Sequence, residues 1–233
     1  MSIKISLKKN ISEKNIKNYV LFADENFKIN GLSRLSLNKQ SNLLNKAIIL
    51  NKQHTKSFLQ FNLNPSQKII LIKLNKNQSS VDNEKKGAEF YKYIKENNIF
   101  NQTFFENNIK DTFPKNKLFI DEFLHGIQLK SYEFEKYKTK KTEKVFDIKI
   151  SFKTNLFKLS TNKRFNSLLK GISLTKDLVS EPGNILHPDE YAKRITQLRK
   201  IGLKINVYDK RKLKKLGMNA LLGVGQGSIR GSY

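Results

Sequence analysis

The sequence predicts an α/β protein in which strands and helices alternate along the chain. Short apolar or alternating segments typical of strands recur in the first 152 residues, and segments with helical spacing lie between them. Hydrophobic residues make up 38% of the 233 residues, which is enough for a packed core. Strands that alternate with helices favour a three-layer α/β sandwich.

Six segments in this first part are predicted as strands. Ile3, Ile5 and Leu7 alternate with polar residues and indicate an opening strand. Tyr19–Ala23 is apolar throughout, so we expect it at the centre of the sheet. The other four segments are Phe58–Leu63, Ile69–Leu74, Thr103–Phe105 and Val145–Phe152, of which the first two are joined by a turn at 64–67.

Three helices are predicted between these strands, and Asp82 is predicted to be the N-cap of the second, which runs to about Asn97. Their apolar positions are, in chain order, Leu43, Leu44, Ala47 and Ile48; Ala88, Tyr91 and Ile94; and Leu118, Phe119, Phe123, Ile127 and Leu129. The charge-dense segment 131–143 follows. It is predicted to connect two domains, anchored to a surface by Tyr132, Phe134 and Tyr137.

The second part of the chain opens with a long amphipathic helix that Pro182 ends. Its predicted apolar face comprises Phe165, Leu168, Leu169, Ile172 and Val179. His187-Pro188-Asp189-Glu190 then opens another helix, whose C′ residue is Gly202. Three further elements are predicted: a strand through Leu203, Ile205 and Val207, a short helix capped by Asp209, and a last strand at Ala220–Val224.

The catalytic side chains that a sequence can reveal are sparse. The chain has no Cys, which excludes thiolate metal sites and Cys nucleophiles, and His54, His125 and His187 have no metal-binding spacing. Five acids could be metal ligands in principle, although capping or solvated roles explain them better: Asp177, Glu181, Asp189, Glu190 and Asp209. The glycines of 223–228 resemble a phosphate cradle only superficially, and a strand-to-loop turn explains them better.

The formal net charge of +25 raises the question of a nucleic-acid partner. Only six of the 45 basic residues are Arg, and the Lys residues are spread over every segment, so a bias toward Lys in solvated positions explains the charge better. No apolar run reaches the length of a membrane span, and the N-terminus lacks the apolar region of a signal peptide. We therefore expect a soluble, cytoplasmic protein.

Three stretches in the second half resemble one known family. They are Tyr132-Glu-Phe-Glu-Lys-Tyr-Lys-Thr139, Asp177-Leu-Val-Ser-Glu-Pro-Gly-Asn-Ile-Leu-His-Pro-Asp-Glu-Tyr-Ala192 and Leu216-Gly-Met-Asn-Ala-Leu-Leu-Gly-Val-Gly-Gln-Gly-Ser228. In this order they resemble the leucyl aminopeptidases (cytosol aminopeptidases, peptidase family M17). Two positions depart from the family pattern: Ser180 stands where many members have Asn, and His187 where Thr or Tyr is common.

The resemblance implies an N-terminal macro-like α/β domain, with its connecting segment, over 1–143 and the truncated start of an α/β metallopeptidase domain over 144–233. It also implies an enzyme, usually a hexamer, that removes N-terminal residues from peptides with two divalent metal ions, such as Mn²⁺ or Zn²⁺. The family's metal ligands and catalytic residues lie in segments beyond those matched here. We therefore expect no catalytic, metal-binding or cofactor-binding residue in this chain, which would be an inactive N-terminal fragment.

The residues that carry the resemblance, Pro182, Asn184, Gly225 and Gly227 among them, are interpreted as scaffold around the missing site. Two other hypotheses stay open at this point. The basic N-terminal domain could be a nucleic-acid-binding module, which a salt titration would reveal. The chain could also be an assembly module that associates only with intact subunits.

Overall fold

The α/β class is confirmed by a computed structural model, which describes residues 2–9, 11–32, 44–46, 48–49, 57–75, 77–112, 116, 118–140, 145–152 and 163–227. The chain divides into two compact units, Met1–Lys170 and Gly171–Tyr233. Within the described residues, no helix combines the length and the hydropathy that a membrane span requires.

All six predicted strands are present and form one sheet in the first unit. Their bounds are β1 Ser2–Lys9, β2 Asn18–Ala23, β3 Phe58–Asn64, β4 Gln67–Lys73, β5 Asn101–Phe105 and β6 Val145–Phe152. The sheet order is β1-β6-β5-β2-β4-β3, and only β3 at the edge runs antiparallel to its neighbour. As its apolar composition predicts, β2 lies inside the sheet and is buried along its whole length.

The first unit extends beyond its predicted boundary, because it includes strand β6. The predicted boundary at 143/144 assigns β6 to the second domain, but β6 lies between β1 and β5 and is parallel to both. Its main chain therefore completes the first sheet, and the division between the units falls after Lys170. The charged segment before β6 is a connection within the first unit, because backbone pairing and not local composition decides where a strand belongs.

Apolar side chains cover both faces of the sheet, as a three-layer arrangement requires. Val20 and Phe22 of β2 belong to one core, with side chains of the helices on that face. Tyr19 and Leu21 belong to a second core on the opposite face. Leu44 and Ile48, two positions of the first predicted helix, are buried in this second core, whereas Leu43 and Ala47 lie outside the described residues.

The described helices of the first unit are α1 Ser80–Glu96, α2 Glu106–Thr112 and α3 Phe119–Ser131. The predicted N-cap of α1 is wrong: Ser79 caps the helix, and Asp82 completes a capping box. The main-chain N–H of Asp82 donates to Ser79 Oγ (3.2 Å), and that of Ser79 donates to the Asp82 carboxylate (3.1 Å). Hydrogen bonds from the side chain and main chain of Ser79 lower the pKa of Asp82.

Helices α1 and α3 cross closely, and buried polar groups are paired at the crossing. Glu122 of α3 accepts hydrogen bonds from Ser80 Oγ (2.5 Å) and from Asn83 Nδ2 (2.7 Å). One turn further, His125 Nδ1 lies 2.9 Å from the Glu84 carboxylate, and the imidazole is 2% exposed. These bonds satisfy the Glu122 carboxylate, Asn83 Nδ2 and His125 Nδ1, whose burial would otherwise be costly.

The described helices of the rest of the chain are α4 Lys163–Ser180, α5 Pro188–Thr196, α6 Lys210–Lys215 and α7 Asn219–Gly225, with a 3₁₀ helix at Gln197–Ile201. Several predicted ends are confirmed. Pro188 is the first residue of α5, and Gly202 ends the 3₁₀ helix with a left-handed φ of 92°. Asp209 caps α6 by accepting from the main-chain N–H of Lys212 at 2.8 Å.

Both strands predicted for the second unit are wrong. Residues 203–209 are irregular, with Leu203 and Val207 about half exposed, and residues 220–224 lie within α7. The main-chain groups of a strand need a neighbouring strand to pair with. The described residues of this unit contain no such neighbouring strand. The predicted face of α4 is also wrong at two positions, since Leu168 is 43% and Val179 81% exposed, and the neighbouring Leu178 is buried.

Candidate functional site

The second unit contains a groove of about 630 Å³ with mainly apolar walls. Its lining is Leu186, His187, Pro188, Tyr191, Ala192, Ile195, Ile205, Asn206, Val207, Tyr208, Leu213, Met218 and Leu221. We call this surface the apolar groove. A concave apolar surface with a few polar groups is the usual form of a ligand or docking site.

Helical periodicity explains one wall of the apolar groove. Tyr191 and Ile195 of α5 are separated by four residues and therefore share a face, and Leu213 is the one buried side chain of α6. The opposite wall is the irregular segment 205–208. The Arg199 guanidinium holds this segment in place by donating to the main-chain oxygen of Ile205, at 2.6 Å from Nη2 and 3.2 Å from Nε.

A cluster of three charged side chains connects the end of α4 to α5. Arg194 Nη1 donates to the Glu181 carboxylate (2.7 Å), and Arg194 Nε donates to the Glu190 carboxylate (3.0 Å). The Glu181 side chain is only 2% exposed. Donating to Glu181 first, and then to Glu190, raises the pKa of Arg194, and the same bond from Arg194 lowers the pKa of Glu190.

The loop between α4 and α5 adopts a tight turn beside this cluster. The main-chain N–H groups of Ile185 and Leu186 both donate to the Pro182 oxygen at 2.9 Å. His187 then precedes α5, and its Nδ1 contacts the Asp189 carboxylate. The turn and the ion cluster together set the position of Leu186 and His187 in the groove wall.

The histidines and acids considered from the sequence do not form a metal centre in the described part of the chain. His125 lies in the first unit, His187 pairs with Asp189, and His54 is outside the described residues. Among the acids, Glu181 and Glu190 pair with Arg194, Asp209 caps α6 and Asp177 is exposed. The described residues include no group of three or more His, Cys, Asp or Glu side chains arranged to hold a metal ion.

The glycine-containing stretch at 223–228 is helical at its start. Gly223 and Gly225 belong to α7, Gly227 follows in a turn, and Ser228 is outside the described residues. The predicted strand-to-loop turn is therefore replaced by the end of a helix. Sequence reasoning also missed the role of Arg194, although the spacing of Glu190 and Arg194 by four residues on a helix was an available signal.

An Arg194→Met variant tests the structural role of the ion cluster. Methionine preserves much of the aliphatic contact but removes both carboxylate pairs, so we expect faster amide exchange in residues 182–187. Lys193→Met is the matched control, because Lys193 reaches the same Glu190 only at 3.7 Å and is 72% exposed. Equal exchange rates in the two variants, measured by hydrogen–deuterium exchange, would contradict this role.

Solved structures share the fold of almost the whole chain. A tomato leucine aminopeptidase mutant superposes with a TM-score of 0.69 over 99% of this chain and 49% of its own, at 20% identity. The bottromycin maturation enzyme BotP in complex with Mn gives a TM-score of 0.58 over 92% of this chain and 43% of its own, at 14% identity. The fold therefore defines an α/β protein whose architecture matches a little under half of each of these solved chains.

Part of the chain is similar in sequence to one family. Residues 173–232 match the catalytic domain of the cytosol aminopeptidase family. A probable cytosol aminopeptidase of Phytoplasma australiense is 45% identical over 114 residues, which are 48% of this chain and 23% of the relative. One from Bradyrhizobium sp. is 41% identical over 111 residues, or 46% of this chain and 22% of the relative. The chain is thus similar to cytosol aminopeptidases over part of its length, as its motifs predict, and the matched part spans less than a quarter of the length of these relatives.

Proposed function

We propose that this chain is the N-terminal portion of a two-metal-dependent leucyl aminopeptidase that removes N-terminal residues from peptides. The observation that carries the proposal is the 41–45% identity to probable cytosol aminopeptidases over about half of the chain, together with the match of 173–232 to the family's catalytic domain. The fold shared with about half of a leucine aminopeptidase chain supports it. By the same likeness, we propose a macro-like fold for the N-terminal domain, a cytoplasmic location and a homo-oligomer, hexameric as in the family.

The described residues do not fit the two metal ions that this reaction requires. Among the described acids of the second unit, Glu181 and Glu190 pair with Arg194, Asp209 caps α6, and no three ligands converge. In our proposal, the metal pair (Mn²⁺ or Zn²⁺) is held by other parts of the catalytic domain. The residues of this chain then contribute scaffold: the Glu181–Arg194–Glu190 cluster fixes the loop before α5, and Arg199 fixes the segment before α6.

The test is an assay with leucine p-nitroanilide and Mn²⁺. We expect no turnover by the 233-residue chain alone, because the described residues offer no site for a metal-activated nucleophile. We expect turnover when the chain is fused to the C-terminal sequence of the Phytoplasma australiense relative. Turnover by the unfused chain would contradict the proposed absence of catalytic residues, and an inactive but folded fusion with bound metal would contradict the aminopeptidase assignment.

A further inference from the structure

The two edges of the sheet differ in charge. Strand β1, at one edge, carries Lys4, Lys8 and Lys9, and lysines on an edge strand hinder its pairing with another chain. Strand β3, at the other edge, is uncharged over all seven of its residues, Phe58–Asn64, although the formal net charge of the chain is +25. Charge therefore protects the first edge against pairing and leaves the second unprotected.

Every second residue of β3 directs its main-chain groups away from the sheet. The N–H of Lys73 in β4 donates to the Ser57 oxygen (2.9 Å), toward β3. The N–H of Lys68 in β4 donates to the Lys17 oxygen instead (2.9 Å), away from β3. Bonded and non-bonded pairs alternate along an antiparallel ladder, and these two bonds fix the alternation. The residues whose N–H and C=O groups point outward are Phe58, Gln60 and Asn62. No described strand lies beyond them.

We propose that β3 pairs antiparallel with β3 of a second copy of this chain, about a two-fold axis at Gln60. Gln60 then lies opposite Gln60 of the second copy, and Phe58 lies opposite Asn62. Each outward-directed residue exchanges two main-chain hydrogen bonds with the residue opposite it. The register of β3 shifts after Asn62, which limits the pairing to residues 58–62. A contact of this size predicts a weak, reversible dimer.

The strand itself favours a second copy as its partner. The outward-directed residues are symmetric about Gln60, so one register satisfies both copies equally. Leu59 and Phe61, which pack in the second core, come to lie opposite each other, and such apolar cross-strand pairs stabilise a sheet. Two strongly basic chains repel each other, and an uncharged strand is where they meet with the least repulsion. The inference goes beyond the proposed function, because it involves the first unit alone.

Opposite charges at position 60 test this pairing in the full 233-residue chain. Gln60→Glu keeps an acceptor for the Tyr93 hydroxyl, which donates to Gln60 Oε1 at 3.2 Å, but places two carboxylates opposite each other in the dimer. Gln60→Lys places two ammonium groups there. In sedimentation velocity, each variant should dimerise about fivefold more weakly than the parent chain. An equimolar mixture of the two variants should form a heterodimer with the affinity of the parent.

Gln197→Glu is the matched control, because it makes the same change of charge at an exposed position of the second unit. This variant should dimerise like the parent chain, and circular dichroism verifies that each variant is folded. Amide exchange gives a second readout within β3. Raising the concentration of the parent should slow exchange at Phe58, Gln60 and Asn62, but not at Leu59 and Phe61, whose N–H groups already point toward β4.

Three outcomes would overturn this interface. The first is a parent chain that stays monomeric at every concentration at which it is soluble. The second is a dimer that Gln60→Glu and Gln197→Glu weaken equally, because its contact then lies elsewhere. The third is a mixture of Gln60→Glu and Gln60→Lys that associates no better than either variant alone. A dimer with the expected responses, together with an inactive fusion in the peptidase assay, supports the interface and contradicts only the proposed function.

Discussion

A Gly126→Ala variant is expected to lose about 3 kcal/mol of folding free energy or more, because overpacking at this site cannot be relieved by a rotamer change. A Cβ at Gly126 in α3 would lie 1.9 Å from the main-chain oxygen of Glu84 in α1. Gly87 of α1 has the reciprocal contact, 1.9 Å from the Phe123 main-chain oxygen. The two helices touch through their backbones, so one added methyl group must move a whole helix.

Displacing either helix also disturbs the groups that cross between them. The Glu122 carboxylate and the His125 imidazole would lose their positions relative to α1. The higher helix propensity of alanine stabilises the folded chain by only about 1 kcal/mol, which does not offset this loss. For a chain of this size, thermal unfolding followed by circular dichroism should show a midpoint roughly 6–12 °C lower.

Gly171→Ala is the matched control. Gly171 lies inside α4, and a Cβ there would meet no atom within 4 Å. The same substitution should therefore stabilise the chain by up to about 1 kcal/mol through helix propensity alone. If both variants shifted the midpoint in the same direction, the close backbone contact between α1 and α3 would be excluded.

In the first unit, the sequence predicts those elements whose own residues determine their conformation and burial. Strand β2 is apolar from Tyr19 to Ala23, and its position inside the sheet follows from that composition. The N-terminus of α1 was misplaced by three residues because Ser79 and Asp82 cooperate in one capping box, and either type can cap a helix. The membership of β6 in the first sheet could not be predicted, since it depends on pairing with β1 and β5, which are distant in sequence.

In the second unit, the sequence predicted three helices and several of their ends. Pro188 and Asp209 fix the starts of α5 and α6 by local stereochemistry. The segments 203–207 and 220–224 are short apolar runs, for which a strand and an irregular or helical conformation have similar local patterns. The apolar groove was not predictable, because its walls come from four separate segments, and the recognised motifs marked its residues only as scaffold.

The second large loss of stability is expected from substitutions at Asn108. Its side chain extends the hydrogen bonding of β2 where the pairing with β5 stops. Strand β5 pairs with β2 only at Tyr19 and Val20. Beyond that point, the Asn108 carboxamide bonds to the main chain of β2 in place of β5. Phe22 N–H donates to Asn108 Oδ1 (2.7 Å), and Asn108 Nδ2 donates to the main-chain oxygens of Phe22 (3.0 Å) and Asn30 (2.9 Å). Asn108 is 0% exposed, so water cannot replace these bonds.

Asn108→Leu keeps the volume but removes three hydrogen bonds to main-chain groups. At a net 1 kcal/mol or more for each buried bond, we expect a loss of about 3–5 kcal/mol in the free energy of unfolding, measured by urea denaturation. Asn108→Asp keeps the acceptor for Phe22 N–H but loses both bonds that Nδ2 donates. This variant should therefore also be substantially less stable than the parent chain.

Asn107→Leu separates this effect from the general cost of leucine in α2. Asn107 is the preceding residue, is half-buried, and makes no side-chain hydrogen bond that the described structure records. We expect it to change stability by less than about 1 kcal/mol. Comparable losses for the two leucine variants would mean that the carboxamide of Asn108 does not hold β2, and that the end of this strand is stabilised by its apolar side chains alone.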